Sequence, residues 1–297
     1  MSSVLLSRCD RLGDLVLSLP TLGYLKDAGF SHRTLHCSAY AEDIALWAQH
    51  NGLCEQIWVA GRPAPENIKI DTPAIVLYHN QETASDYRAA GLKNSFAPRS
   101  KLSTLWTYTQ TLSQKRSRVE KSEMHYNLDV ARFCLESLGM RIPEFKGLPA
   151  LKVPRTWSAP RKSPHTIICV SNSASAANWG LQQYIDFAQT IFEESDGSLD
   201  FLVSGYDAHL RRQGLLQSGI LRQGVGMVEG FSSVRELICY LSGAKFVVAS
   251  STGPLHIAHA SGINVFGIYP ATKVQSFDRW RPDGYWHKGF VRYQVMP

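Results

Sequence analysis

Residues 250–270 read SSTGPLHIAHASGINVFGIYP, and this stretch decides the fold. It follows a short apolar run, FVVA (246–249), that reads as a β-strand. A turn of small polar residues and glycine comes next, then Pro254, then a short helix closed by Gly262. A second apolar run, VFGIY, follows. Strand, turn, helix and strand in this order form the βαβ unit of a parallel sheet. Ligands of such sheets sit beyond the carboxyl ends of the strands, so the Ser250–Pro254 turn faces the ligand side. Pro254 arrives with φ already set for a first helical position. Gly253 lets the backbone approach a ligand closely. The N–H groups that open a helix have no helical acceptor, and with the helix dipole they attract an anion. Ser251 and Thr252 add hydroxyl donors. A phosphate or diphosphate therefore fits the turn without a lysine-bearing P-loop. The structural alternative is that Thr252 simply N-caps a helix. The stretch alone leaves the two readings level.

The same alternation extends outward over the 297 residues. In the first half VLLSR (4–8), TLHCSA (34–39), QIWVA and AIVLYH read as strands. Residues 14–29 and 41–50 read as helices, with Pro20 a kink in the first. Residues 126–140 form an amphipathic helix ending at Gly139. Residues 142–165 then hold five prolines and little periodicity, which reads as a linker. Beyond it come strand TIICVS, helix LQQYIDFAQTIFEE, strand DFLVSG, a helix near DAHLRRQGLLQ, helix SVRELICYLSGA and the opening unit. The expected fold class is α/β: two doubly wound, Rossmann-like domains, 1–150 and 151–297, facing a central cleft.

A second strand-to-helix turn lies in SRCDRLGDLVLSLP, where Gly13-Asp14 opens the first helix on the ligand side of its sheet. A carboxylate at a helix start is commonly an N-cap. Opposite a diphosphate cradle it also suits glycosyl transfer. The carboxylate takes the proton of an acceptor hydroxyl while the cradle stabilises a nucleoside diphosphate leaving group. Dinucleotide binding is the rival, but RCDRLGD has one glycine where the fingerprint needs three.

Composition narrows the classes. Hydrophobic content of 44% and charged content of 19% are ordinary for a soluble globular enzyme. No apolar run reaches membrane-spanning length. The N-terminus reads as a first strand, not a signal peptide. The six cysteines fall in no C-x-x-C pair and at no metal-like spacing with histidine, which fits buried thiols in a reducing cytosol. The net charge of +6 is concentrated: Arg88, Lys93, Arg99, Lys101, Lys115, Arg116, Arg118 and Lys121 face one acid, Glu120, over 88–121. With Trp106 and Tyr108 interleaved, the segment suits an anionic partner. No nucleic-acid-binding signature accompanies it, so no nucleic-acid partner is expected.

RCDRLGDLVLSLPTLGYLK resembles the N-terminal motif of the family 9 glycosyltransferases, the ADP-heptose:lipopolysaccharide heptosyltransferases. LSGAKFVVASSTGPLHIAHASGINVFGIYPAT resembles their C-terminal donor motif, and MHYNLDVARFCLESLGM the helix that closes their first domain. The resemblance implies a GT-B fold, with an acceptor-binding first domain and a nucleotide-sugar-binding second one. It implies an inverting, metal-independent transfer of a heptose from ADP-heptose, with no cofactor beyond the donor. The implied acceptor is an acidic glycolipid of lipopolysaccharide type, which implies a cytoplasmic protein peripheral to the inner membrane. Asp14 matches the catalytic base. Ser251, Thr252, Gly253, Pro254, Leu255 and His256 match the diphosphate loop, and Asp207 is the nearest candidate for the ribose contact. Ser173 is a further donor-side candidate. Arg11, Gly13, Arg99, Lys101, Lys115 and Arg116 are assigned to the acceptor side.

Two departures stand out. Ser251 replaces the family's usual aspartate before Thr-Gly. SASAANWG (173–180) carries no cation where the family has a lysine, and Lys273 or Arg11 is the substitute source of charge. The missing lysine favours a second reading, a catalytically silent nucleotide-sugar or glycan-binding module of the same fold. The intact RLGD favours the enzyme. His256 is either a ligand contact or a packing residue, and His125 reads as structural. Trp179 and Trp280 are expected near the donor.

Overall fold

The computed structural model describes residues 2–99, 102–170, 178–192, 194, 197–285 and 291–296, the side chains of 102–103 and 291–296 excepted. The chain divides into two compact units, Met1–Lys152 with Asp283–Trp286, and Val153–Pro282 with His287–Pro297. The passage from one to the other falls inside the proline-rich stretch.

In the first unit β1 (Ser3–Arg8), α1 (Leu12–Asp27), β2 (His32–Cys37), α2 (Glu42–His50) and β3 (Gln56–Val59) alternate. β4 (Ala74–Val76), α3 (Gln81–Ala89), β5 (Ser95–Pro98), α4 (Leu102–Thr107), β6 (Gln110–Leu112) and α5 (Glu123–Ser137) follow. The six strands are all parallel and lie in the order β3-β2-β1-β4-β5-β6. This is the doubly wound order whose direction reverses between β1 and β4, and that switch point is where such sheets take ligands. Parallel strands are covered on both faces and so read as near-continuous apolar runs. Leu5, Ala74, Val76 and Ala97 accordingly meet Trp58, Tyr87 and Tyr108 in one buried cluster.

The second unit repeats the plan. It holds β7 (Thr166–Cys169), α6 (Leu181–Ile191), β8 (Leu199–Val203), α7 (Ala208–Ser218), β9 (Gly226–Glu229) and α8 (Val234–Ser242). β10 (Phe246–Ser250), α9 (Gly253–Ala260), β11 (Asn264–Pro270), α10 (Phe277–Trp280) and β12 (Val291–Met296) complete it. The order β12-β11-β10-β7-β8-β9 is again all parallel and reverses between β7 and β10. The turn after β10 is therefore beside a switch point. Ile168, Phe201, Val248 and Ile268 build the core with Tyr184 and Trp179.

Four elements lie where the sequence offered little periodicity. α3, β5, α4 and β6 fill residues 81–112, the span dominated by the basic segment, and their strands are only three or four residues long. α1 runs through Pro20 as one helix. Trp179 lies inside the core, 6% exposed and edge-on to Tyr184, rather than beside a ligand.

Candidate active site

The first unit's site grows from the end of β1. The apolar strand delivers its last residue, Arg8, to the carboxyl edge of the sheet, 3% exposed. A buried guanidinium must be paired and hydrogen-bonded, and every arm of this one is. Nε donates to Asp10 Oδ1 at 2.7 Å and Nη2 to Asp14 Oδ1 at 2.5 Å. Nη1 lies 3.4 Å from Glu123 Oε1, Asn127 Oδ1 and the Leu77 carbonyl. Glu123, 1% exposed at the start of α5, also accepts a 2.7 Å bond from Arg116. Two arginines and three carboxylates thus interlock beside the β1–β4 switch point.

Asp14 sits in the first turn of α1, behind the N-cap residue Arg11. Burial raises its pKa; the Arg8 charge pulls it back, and Glu123 pushes it further up. Burial likewise pushes Asp10 up to about 6 against the pull of Arg8. Both side chains remain 13% exposed. Asp14 therefore combines contact with solvent, raised proton affinity and one oxygen held by Arg8. Its second oxygen accepts no hydrogen bond among the described residues. A positioned carboxylate whose pKa lies nearer to neutrality is suited to take a proton.

The second site is the turn between β10 and α9. Thr252 is the N-cap residue, in extended backbone, and Pro254 stands in the first turn. The Thr252 hydroxyl donates to the Ser250 carbonyl at 3.2 Å and caps nothing. The helix opens more tightly than the sequence implies. The N–H groups of Leu255 and His256 already reach the Thr252 carbonyl, at 3.1 and 3.5 Å. Among the described residues that leaves the Gly253 N–H as an open backbone donor, alongside the dipole. Two buried polar atoms accompany it. Ser250 Oγ and His256 Nδ1 have no hydrogen-bond partner among the described residues, and both residues are nearly inaccessible. Burial alone lowers His256 to about 4, so the ring is neutral and able to donate or accept.

The remaining expected residues are placed as follows. Gly13 is buried in the first turn of α1, and Arg11 is exposed beside Asp14. Arg99 and Lys115 are exposed just past the carboxyl ends of β5 and β6, on the Asp14 side of the sheet. Arg116 is drawn inward to Glu123 and is 20% exposed. Leu255 points into the core, so only its backbone can meet a ligand. Asp207 accepts a 3.0 Å bond from Arg211 one turn along α7. Lys273 is exposed in a short turn after β11. Ser173 and Lys101 lie outside the described residues.

Sequence reasoning missed Arg8, Asp10 and Glu123. For Arg8 and Asp10 the signal was present as charges directly abutting an apolar strand in SRCDR. One further constellation resembles a catalytic triad without acting as one. Ser7 Oγ lies 3.0 Å from His36 Nδ1, and His36 Nε2 lies 3.2 Å from Asp86. Ser7 and His36 are fully buried, and the imidazole stacks on Trp58 at 4.5 Å, so no substrate reaches them. The group is a polar bridge between β1, β2 and α3.

No protein-family model matches the chain. A curated Haemophilus influenzae protein described as "Putative glycosyltransferase" is 26% identical over 318 aligned positions, 95% of this chain and 86% of that protein. The glycosyl transferase family 9 structure from Veillonella parvula superposes with a TM-score of 0.72 at 14% identity, over 99% of this chain and 86% of that one. The chain has the family 9 glycosyltransferase fold. Escherichia coli heptosyltransferase WaaC with ADP superposes with a TM-score of 0.71 at 14% identity, over 99% and 93% of the two chains. The resemblance read from the end motifs is thus borne out, and these relationships support a glycosyltransferase with two parallel-sheet halves.

Proposed function

We propose that this glycosyltransferase moves a heptose or related sugar from an ADP-sugar to an anionic glycolipid, with inversion and without a divalent metal. The observation that carries the reading is Asp14, a part-buried carboxylate of raised proton affinity at a switch point, with one oxygen held and the other open. In the forward step Asp14 takes the proton of the acceptor hydroxyl as that oxygen attacks the anomeric carbon. The bond from that carbon to the diphosphate breaks, and the diphosphate leaves with the electron pair. The Ser251–His256 turn binds the leaving group through the Gly253 N–H, the Ser251 hydroxyl and the dipole of α9, and the Thr252 hydroxyl joins them only by turning away from the Ser250 carbonyl. Ser250 Oγ and His256 Nδ1 are buried groups that such an anion or its waters would satisfy. ADP bound to a heptosyltransferase of the same fold supports an adenine nucleotide as donor. The first unit takes the acceptor, with Arg99 and Lys115 toward its charge, and the protein works at a cytoplasmic membrane surface.

Calorimetric titration of ADP, with and without EDTA, tests the reading in wild type, Asp14→Asn and Gly253→Val, alongside transfer from ADP-heptose. Asp14→Asn should keep ADP binding and lose about 10²-fold or more in transfer, the scale of a general base. Gly253 has no left-handed φ, so valine is tolerated by the backbone and should abolish ADP binding by blocking close approach. Undiminished transfer by Asp14→Asn, ADP binding that survives Gly253→Val, or binding lost in EDTA would each overturn the corresponding part.

A further inference from the structure

The carboxylate assigned as base does not stand alone, and how it is held is specific. Arg8 spends its three nitrogens on three different elements: Nε on the loop residue Asp10, Nη2 on Asp14 of α1, and Nη1 on Glu123 and Asn127 of α5. Its bond to Asp14 is the shortest of them, at 2.5 Å. Behind it, Glu123 is gripped a second time by Arg116, which is itself oriented by a 2.9 Å bond from its Nε to Gln114. A planar guanidinium fastened on its far side by a buried carboxylate cannot rotate, so it fixes what it holds on its near side.

We propose that Arg8 is a positioning residue for the transfer reaction: clamped by Asp10, Glu123 and Asn127, it holds Oδ1 of Asp14 and leaves Oδ2 as the oxygen that takes the acceptor proton. This rests on the reading of Asp14 as base. Glu123 is the buttress, and Arg116 is a link in the clamp rather than a contact for the acceptor. The charged and titratable groups around Asp14 are Arg8 on β1, Asp10 and Arg11 in the loop that follows, Glu123 on α5 and Tyr40 near the loop backbone. Tyr78 lies under the Arg8 guanidinium at 6.0 Å. Of these, Arg8 and Arg11 favour the Asp14 carboxylate and Glu123 opposes it.

The signs of the two decisive substitutions are therefore opposite. Arg8→Lys keeps a charge but loses the fork, so Asp14 loses a charge-assisted hydrogen bond and its pKa rises. Glu123→Gln removes a like charge, so the Asp14 pKa falls. The test is carboxyl carbon NMR titration of the full-length protein labelled at aspartate, with Asp14→Asn and Asp10→Asn assigning the two resonances. It needs no substrate. In parallel, ADP release from ADP-heptose is followed against pH. The proposal expects the Asp14 midpoint and the acid limb of kcat to move up together in Arg8→Lys and down in Glu123→Gln. It also expects kcat in Arg8→Lys to fall about 10²-fold, the scale of a misplaced reacting group, with ADP affinity unchanged. Midpoints that stay at the wild-type value in either folded variant would overturn it. Should Arg8→Lys fail to fold, Glu123→Gln carries the test alone. Failure of the base reading is distinguishable: Asp14→Asn would then transfer normally, whatever the titrations show.

Discussion

His256 occupies the first turn of α9 as a neutral ring, because burial brings its pKa down from 6.5 to about 4. Between those values the unfolded chain binds a proton that the folded chain refuses. The contribution of this residue to stability is therefore full above about pH 6.5 and is lost as pH falls toward 4. Asp10 has the opposite sign. Its folded pKa of about 6 exceeds the ordinary 3.8, so the folded chain holds the extra proton, and that contribution is lost as pH rises through 6. His256→Gln should flatten the loss of stability on acidification by up to one proton, about 1.4 kcal/mol per pH unit. Urea unfolding at a series of pH values reads this as a difference in slope. Parallel curves for wild type and variant would show that His256 is not buried neutral. The residue types at both sites could be read in sequence, where Asp14 and Thr252 to His256 stood at strand ends. Their ionisation could not, since it depends on burial and on charges brought from α5.

Helix α1 shows how an element departs from its local rule. An interior proline costs about 3 kcal/mol or more because it removes a hydrogen bond and crowds the preceding turn. Pro20 leaves the Val16 carbonyl without its helical donor. The Tyr285 hydroxyl supplies one at 3.1 Å, from 269 residues further along the chain. Gly284, at φ 89°, lies on the proline ring, and a Cβ there would stand 2.5 Å from Pro20 Cγ. The same short segment bonds to Leu148 through the Gly284 carbonyl, and Asp283 accepts from Ser122. Tyr285→Phe should therefore destabilise the protein by about 1–3 kcal/mol, the cost of an abandoned buried acceptor. In a Pro20→Ala background the loss should shrink, because the alanine N–H can serve Val16. A double-mutant cycle on unfolding free energies measures the coupling, and strictly additive losses would remove Tyr285 from this role. The sequence signalled a kink at Pro20; only the fold brings the Tyr285 hydroxyl back to the carbonyl that the proline leaves open.

Across the whole molecule the charge is uneven, and folding divides the basic segment into paired and exposed charges. Arg116 pairs with Glu123, and Lys121 with Asp129 at 2.8 Å. Arg99 and Lys115 remain exposed at the carboxyl edge of the sheet. Binding to anionic phospholipid vesicles should weaken as salt rises through the range where the Debye length drops below about 10 Å, and ADP binding should change less. Charge reversal at Arg99 and Lys115 should weaken vesicle binding and leave ADP affinity unaltered. Equal salt dependence of the two, or vesicle binding indifferent to both reversals, would show that the segment is only a solvated face.

What the sequence determined by itself was the alternation. Apolar runs of strand length separated by helical periods, broken once by prolines, specify two doubly wound sheets, because every strand of a parallel sheet must be apolar on both faces. The turns at Gly13-Asp14 and Ser251–Pro254 were legible for the same reason: each interrupts the pattern at a strand end. Only the tertiary structure decided which charges those turns meet. Arg8 and Glu123 are 115 residues apart in sequence, and they pair because the β1–β4–β5 half of the sheet brings α5 over the end of β1. It likewise decided that Trp179 belongs to the core, that Arg116 serves Glu123, and that Pro20 can lie within a helix. Each outcome depends on partners distant in the chain, and local propensity carries no information about those.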